Sequence, residues 1–170
     1  MDAFQDLLVD GFSRVEEGVG AVLEGLGAEQ LRWRPDAEAN PVGWLLWHLL
    51  RQQDAQLARL AGREEEWAQG WRERFDLPYP PDAMGYGQDA AEVGRFELSD
   101  TGLLVGYAGA VHASTRRLVE GWDAEDLGRV VDDAWDPPVT VGVRVCSVLE
   151  DALKHLGQAE YVAGLARRRG

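Results

Sequence analysis

The feature that most restricts what this chain can fold into is the run from Val42 to Leu50, in which every residue except Gly43 and His48 is apolar. Directly before it, Asn40-Pro41 offers an N-cap followed by proline at the first helical position. Gln53, Leu57 and Leu60 carry the pattern on at helical spacing as far as Gly62. The run predicts a helix that is deeply buried, and such a helix is stable only inside a shell of other elements. The remainder of the chain has to supply that shell.

Three further segments have the necessary periodicity. Phe4, Leu7, Leu8, Phe12, Val15, Val19, Val22 and Leu26 recur at gaps mostly of three and four, which predicts a first helix ended by Gly27. Gly11, Gly18 and Gly20 weaken it by about 1 kcal/mol each against alanine, so close packing with another helix is expected to compensate. Ser99-Asp100 can cap a third helix carrying Leu104, Tyr107, Val111, Leu118 and Trp122 to about Asp123, and Asp123 to Leu127 can add one more turn. The last segment is ambiguous. Val139, Val141, Val143 and Val145 alternate as in a strand, whereas Val145, Val148, Leu149, Ala152, Leu156, Ala159 and Ala163 are spaced as in a helix. Thr140 as N-cap favours one helix over about 141–168, with an extended first turn as the other reading. The expected architecture is all-α, a four-helix bundle built as a single domain over residues 1–170.

Two of the three connections between these helices have a telling composition. Residues 28–40 hold Pro35 and several polar positions. Residues 63–99 combine the acidic run Glu64 to Glu66, the prolines 78, 80 and 81, and glycines at 70, 85, 87 and 94. Long connections in compact domains are usually functional or disordered. This one contains Trp67, Trp71, Phe75, Tyr79 and Tyr86, which predicts that it packs down onto the bundle.

Composition narrows the function classes. At 170 residues the chain can bury about two-thirds of its unfolded surface without a disulfide or metal to hold it together. Its single cysteine, Cys146, excludes an intramolecular disulfide and a cysteine-based zinc site, and fits a reducing cytoplasm. Asp2 and Asp6 stand where a targeting segment would be positive, and no apolar run approaches the roughly 18 residues of a membrane span. Neither export nor insertion is expected. A formal charge of -13 repels polyanions and argues against nucleic acid as a partner. Arg167, Arg168 and Arg169 are expected to interact with a helix C-terminus.

His48 is the informative histidine, because an imidazole interrupting the most apolar run needs either a hydrogen-bond partner or a metal. Both readings stand on the sequence alone. Asp151 and His155 lie four residues apart, which puts their side chains one above the other on one helix face, bordered by Val148, Ala152 and Ala159. Such a pair can share an ion, or form an ordinary surface ion pair. His112, beside Val111 and ahead of Arg116 and Arg117, is expected outside any ligand set, half-exposed or hydrogen-bonded behind it. Cys146 reads as a small buried hydrophobe, and Trp33, Trp44 and Trp47 as core or pocket wall.

His155-Leu156-Gly157-Gln158, with Asp151 before it, Tyr161 after it and Trp47-His48-Leu49-Leu50 upstream, resembles the DinB superfamily. The segment Trp135-Asp136-Pro137-Pro138-Val139-Thr140 and Gly85-Tyr86-Gly87 are similar to actinobacterial DinB-like proteins of unassigned function. The resemblance implies a four-helix bundle of unusual connectivity and a metal held by His48, Asp151 and His155. Many members of that family have histidine where this chain has Asp151, and the mycothiol-dependent maleylpyruvate isomerases have glutamate there.

Two imidazoles and one carboxylate leave coordination positions open. The resemblance implies a metal-dependent thiol S-transferase in which the metal keeps a low-molecular-weight thiol as thiolate. Mycothiol is the expected co-substrate and an electrophile the second substrate. Zinc is the first choice of metal, with nickel, iron or manganese able to accept the same ligands. The alternatives are a metal-dependent hydrolase, for which Asp54 is a base that spacing alone does not place, or a non-catalytic metal- or small-ligand-binding helical dimer. A homodimer is expected on either view, with the glycine-containing first helix able to pack against a partner.

Overall fold

A computed structural model describes residues 2–98 and 100–169. In chain order the helices are α1 (Ala3–Leu23), α2 (Ala28–Arg32), α3 (Val42–Ala61), α4 (Trp71–Phe75), α5 (Ala90–Val93), α6 (Thr101–Glu120), α7 (Ala124–Gly128) and α8 (Val141–Arg168). A 3₁₀ turn, Glu66–Ala68, precedes α4, and β1 (Val130–Asp132) pairs antiparallel with β2 (Val139–Thr140). Helices α1, α3, α6 and α8 form an all-α four-helix bundle. The main packed pairs are α3 with α8, α1 with α6, α3 with α6 and α1 with α8. Helices consecutive in this set, α1 and α3 or α6 and α8, therefore sit diagonally.

Helix directions follow from individual contacts. A Cβ at Gly11 would lie 2.8 Å from Leu149, and one at Gly18 2.5 Å from Leu156, so α1 and α8 run parallel. Both glycines are where the close approach requires them, within the chain rather than toward a partner. Gln5 at the start of α1 donates to the carbonyls of Glu120 and Trp122 at the end of α6, so this pair is antiparallel. Arg51 meets Tyr107 and Gln53 meets Thr115, so α3 and α6 run parallel. Parallel neighbours about 30 Å long cannot be joined by a tight turn. That is the physical reason for the long connection over residues 63–99.

The connection does pack down. Trp67 and Phe75 are buried and Trp71 and Tyr79 pack against the core, but Tyr86 is 86% exposed, contrary to expectation. Other differences are local. Helix α1 stops at Leu23, with Gly27 serving as N-cap of the short α2 in place of ending α1. Pro41, not Asn40, is the N-cap of α3. Asp100 caps α6 by accepting from the Gly102 amide, and the expected role of Ser99 lies outside the described residues. Thr140 caps α8 through the Val143 amide, so helix wins from Val141 onward and only Val139–Thr140 pairs as strand. Cys146 is exposed. Arg167 reaches the Val22 and Glu24 carbonyls at the end of α1, a neighbouring helix C-terminus rather than its own.

Among the described residues no helix is long and apolar enough to cross a membrane.

Candidate metal centre

The α3/α8 seam holds the site. His48 projects from the buried helix α3, while Asp151 and His155 occupy successive turns of one face of α8. One ligand atom from each of the three lies within 4.8 Å of the others, which makes them a set that could hold a metal ion. The imidazoles of His48 and His155 meet edge to face with centroids 4.6 Å apart. His112 stands apart on α6, half-buried, with its Nδ1 unpartnered and outside this set.

Both rings are oriented through Nδ1. His48 Nδ1 donates to the Met84 carbonyl, and His155 Nδ1 donates to Gln158 Oε1 at 2.8 Å, one turn further along α8. With these protons fixed, each Nε2 carries a free lone pair, the form in which neutral histidine ligates. Trp44 stacks on His48 at 4.7 Å and an interplanar angle of 13°, and its indole donates to Gln88 at 2.7 Å. Burial pushes the His48 pKa below its ordinary value. His155 nearby works in the same direction, against the Met84 hydrogen bond and Asp151. His48 therefore stays neutral further into acid than an exposed histidine.

Gly85 makes the loop geometry possible. Its φ is +86°, and a Cβ there would lie 2.7 Å from His48 Nδ1 and 2.9 Å from the Trp44 ring. Sequence reasoning overlooked Gln158 and the Met84 carbonyl as supports of the site, while Trp44, expected as core or pocket wall, is buried and stacks on His48. Gln158 was detectable as the i+3 neighbour of His155; the Met84 carbonyl, on a connection with no periodicity, had no sequence signal.

The carboxylate is the least settled member. Asp151 Oδ1 lies 3.6 Å from His155 Nε2, beyond hydrogen-bond range, and Oδ2 is buried with no partner. An unpartnered buried carboxylate oxygen is costly unless something positive meets it. With two free imidazole nitrogens beside it, the donor set fits a divalent cation.

Asp54, one face away on α3, is fully engaged. It accepts from the Glu66 and Trp67 amides at 3.0 and 2.8 Å and from the Tyr107 hydroxyl at 2.7 Å. It is not available as a base at this site.

The model of the DinB superfamily matches residues 12–159, and the chain belongs to that superfamily. Among solved structures it is similar to a conserved protein from Enterococcus faecalis, with 29% identity, a TM-score of 0.91, and 98% of each chain covered. No curated protein matches it.

Proposed function

We propose that this protein is a metal-dependent thiol S-transferase, with the ion held by His48, Asp151 and His155. The observation carrying the reading is the buried, unpartnered Asp151 Oδ2 beside two imidazoles whose Nδ1 atoms are already engaged. When bound, a divalent ion would lower the pKa of a thiol so that its sulfur is thiolate near neutral pH. Zinc suits two nitrogens and one oxygen and leaves a position for the sulfur; nickel, iron and manganese accept the same donors. The thiol is of the mycothiol type and the acceptor is a small electrophile.

The protein's own residues do the positioning. Met84 and Gln158 fix the two rings, the depressed pKa keeps His48 free to ligate, and Trp44 covers its face against water. The engagement of Asp54 weighs against metal-dependent hydrolysis, which needs a base for water. We take residues 1–170 as one domain acting in the cytoplasm. Homodimerisation is expected through apolar side chains left exposed on the adjacent helices α1 and α8, such as Leu7 and Leu153.

The test has two parts. Elemental analysis of the purified protein, with anomalous diffraction at the metal edge, should find one ion bonded to His48, Asp151 and His155. The loaded protein, incubated with mycothiol and a panel of electrophiles, should produce the S-adduct detected by mass spectrometry. Absence of bound metal at neutral pH after zinc is supplied would overturn the site. A loaded protein that forms no adduct across the panel would leave the binding-module alternative.

A further inference from the structure

Beside the metal centre, the α3/α8 seam opens into a groove of about 1060 Å³. Gln52 and Gln56 continue the His48 face of α3 into it, joined to each other at 2.9 Å, and Arg59 lies one turn beyond. On α8, Arg144 precedes Asp151 by seven residues, two turns of the same face, or about 10 Å along the helix axis. Met84 and Tyr86, which flank Gly85, belong to the groove wall. Groove and centre therefore share the Met84 segment and both helices.

Its charge is unlike that of the rest of the molecule. The chain carries -13 overall, yet Arg59, Arg63, Arg129 and Arg144 all line this one groove. Of the three carboxylates there, Glu65 is bound by the buried Arg51 at 2.9 Å and Asp132 faces Arg144 at 3.5 Å, while Asp82 forms no ion pair among the described residues, so four guanidinium groups stand against three carboxylates. Arg59 forms no ion pair among the described residues. Arg63 and Arg129 are held only through backbone carbonyls. The rest of the lining is mixed, with Leu60, Val130 and Val131 giving apolar surface beside the polar Gln52 and Gln56. Apolar side chains beside guanidinium groups match a short carbon chain that carries an anion, since arginine pairs with carboxylate or phosphate in a fixed two-pronged geometry.

We propose that this groove is the acceptor subsite, and that it selects an electrophile bearing a carboxylate or phosphate separated from its reactive atom by a short apolar segment. The inference rests on the reading of His48, Asp151 and His155 as the reaction centre. Arg144 and Arg59 hold the anion, and the Leu60 and Val130 surface receives the carbon chain.

Adipate and its uncharged dimethyl ester are suitable probes, titrated into ¹⁵N-labelled protein in metal-free and zinc-loaded forms. Adipate should shift the amide signals of groove residues such as Gly62 and Val130 in both forms, and the ester should not. R59Q/R144Q should weaken adipate binding by about five-fold, the scale of one to two exposed ion pairs. R14Q, remote on α1, should leave it unchanged. Arg59 is exposed, so R59Q alone carries the test if the double variant misfolds. Equal binding of the ester, or adipate shifts insensitive to R59Q, would overturn the subsite. So would adipate shifts seen only with zinc and centred on His48 and His155, which would mark a simple metal ligand. Groove binding in a protein that takes up no zinc would support the subsite while removing the metal reading.

Discussion

Helix α3 contributes buried polar side chains to two clusters, and these differ in one respect that separates structure from function. Toward α6 and the long connection, Arg51, Asp54 and Tyr107 form a closed network. Arg51 donates to Ala83, Tyr107 and Glu65, Tyr107 donates to Asp54, and Asp54 also receives two backbone amides. Toward α8, the His48, Asp151 and His155 side chains are just as deliberately oriented, yet Asp151 Oδ2 is left without a partner. A satisfied network pins elements together, whereas an unsatisfied one beside free ligand atoms is built for something that comes from outside. The network nearer the loop holds the loop; the one at the seam presents a donor set that could hold an ion.

The comparison breaks most visibly at His155. His155→Ala removes one of three ligands, and zinc affinity should fall by more than about 100-fold, a fraction of the roughly 10 kcal/mol typical of protein zinc sites. Thermal unfolding of the metal-free protein should change little, because the core is independent of the ion. Metal content by elemental analysis and a circular dichroism melt check the two halves. Retention of stoichiometric zinc would remove the division drawn between the two networks.

Asp54→Ala should do the reverse. Loss of the carboxylate leaves Arg51, Tyr107 and two buried amides short of a partner, which is expected to cost about 3–5 kcal/mol of stability. Denaturant titration reads that loss, and zinc uptake per folded molecule should be unchanged. Between these two variants lies Gly85→Ala, which presses a Cβ onto His48 Nδ1 and adopts a φ of +86°. It should cost about 1–3 kcal/mol and lower zinc affinity as well, since the loop that orients His48 has to shift. A variant with full affinity and stability would show that the Met84 segment does not fix the ring.

The same contrast explains what the sequence made legible. The apolar run around His48 and the i, i+4 pair of Asp151 and His155 are local patterns, and the helices carrying them form as periodicity predicts. The DinB resemblance, not the spacing, brought the two helices together as one site. Invisible in the sequence were contacts between distant segments: Met84 on His48, Glu66 and Trp67 amides on Asp54, and the pairing of Val130–Asp132 with Val139–Thr140. Tyr86 was misjudged because an aromatic in a packed loop reads the same whether it turns inward or lines the rim of a groove. Leu26 continued the apolar stripe of α1 beyond the helix, since a buried residue just past a helix end keeps the period without the conformation.

Acid should separate the two networks by their signs. Burial lowers the His48 pKa in the folded state, so the unfolded chain takes up that proton first. Its contribution to stability is complete above the ordinary value of 6.5 and is lost as pH falls from there through the lower folded pKa. The metal-free protein should lose at most about 1.4 kcal/mol per pH unit in that window from this group. His48→Gln should flatten that limb. Asp54 has the opposite sign: burial raises its folded pKa above 3.8, so its contribution is full below 3.8 and is lost as pH rises through the folded pKa. Denaturant midpoints measured from pH 7.5 to 4.5 with and without His48→Gln check the first limb.

The smallest expected effect tests the finest part of the contrast, the support behind the ligands. Gln158 Oε1 accepts the Nδ1 proton of His155 from one turn along α8, which selects the tautomer with a free Nε2 and fixes the ring plane. Gln158→Leu keeps the bulk and the helix but removes the acceptor, so the tautomer protonated on Nε2 and ring rotation compete with ligation. Zinc affinity should fall by about 10-fold, the lower end for a lost hydrogen bond behind a ligating histidine, while stability stays within about 0.5 kcal/mol at this exposed position. Gln158→Glu restores an acceptor, now charged, and should recover or exceed the native affinity by making the imidazole more basic. Competition titration against a chelator of known zinc affinity separates the three proteins. Equal affinity in Gln158→Leu and the native chain would mean that His155 is oriented by the ion alone, and the distinction between a pre-arranged site and a merely coincident pair of side chains would then rest on His48 and Met84.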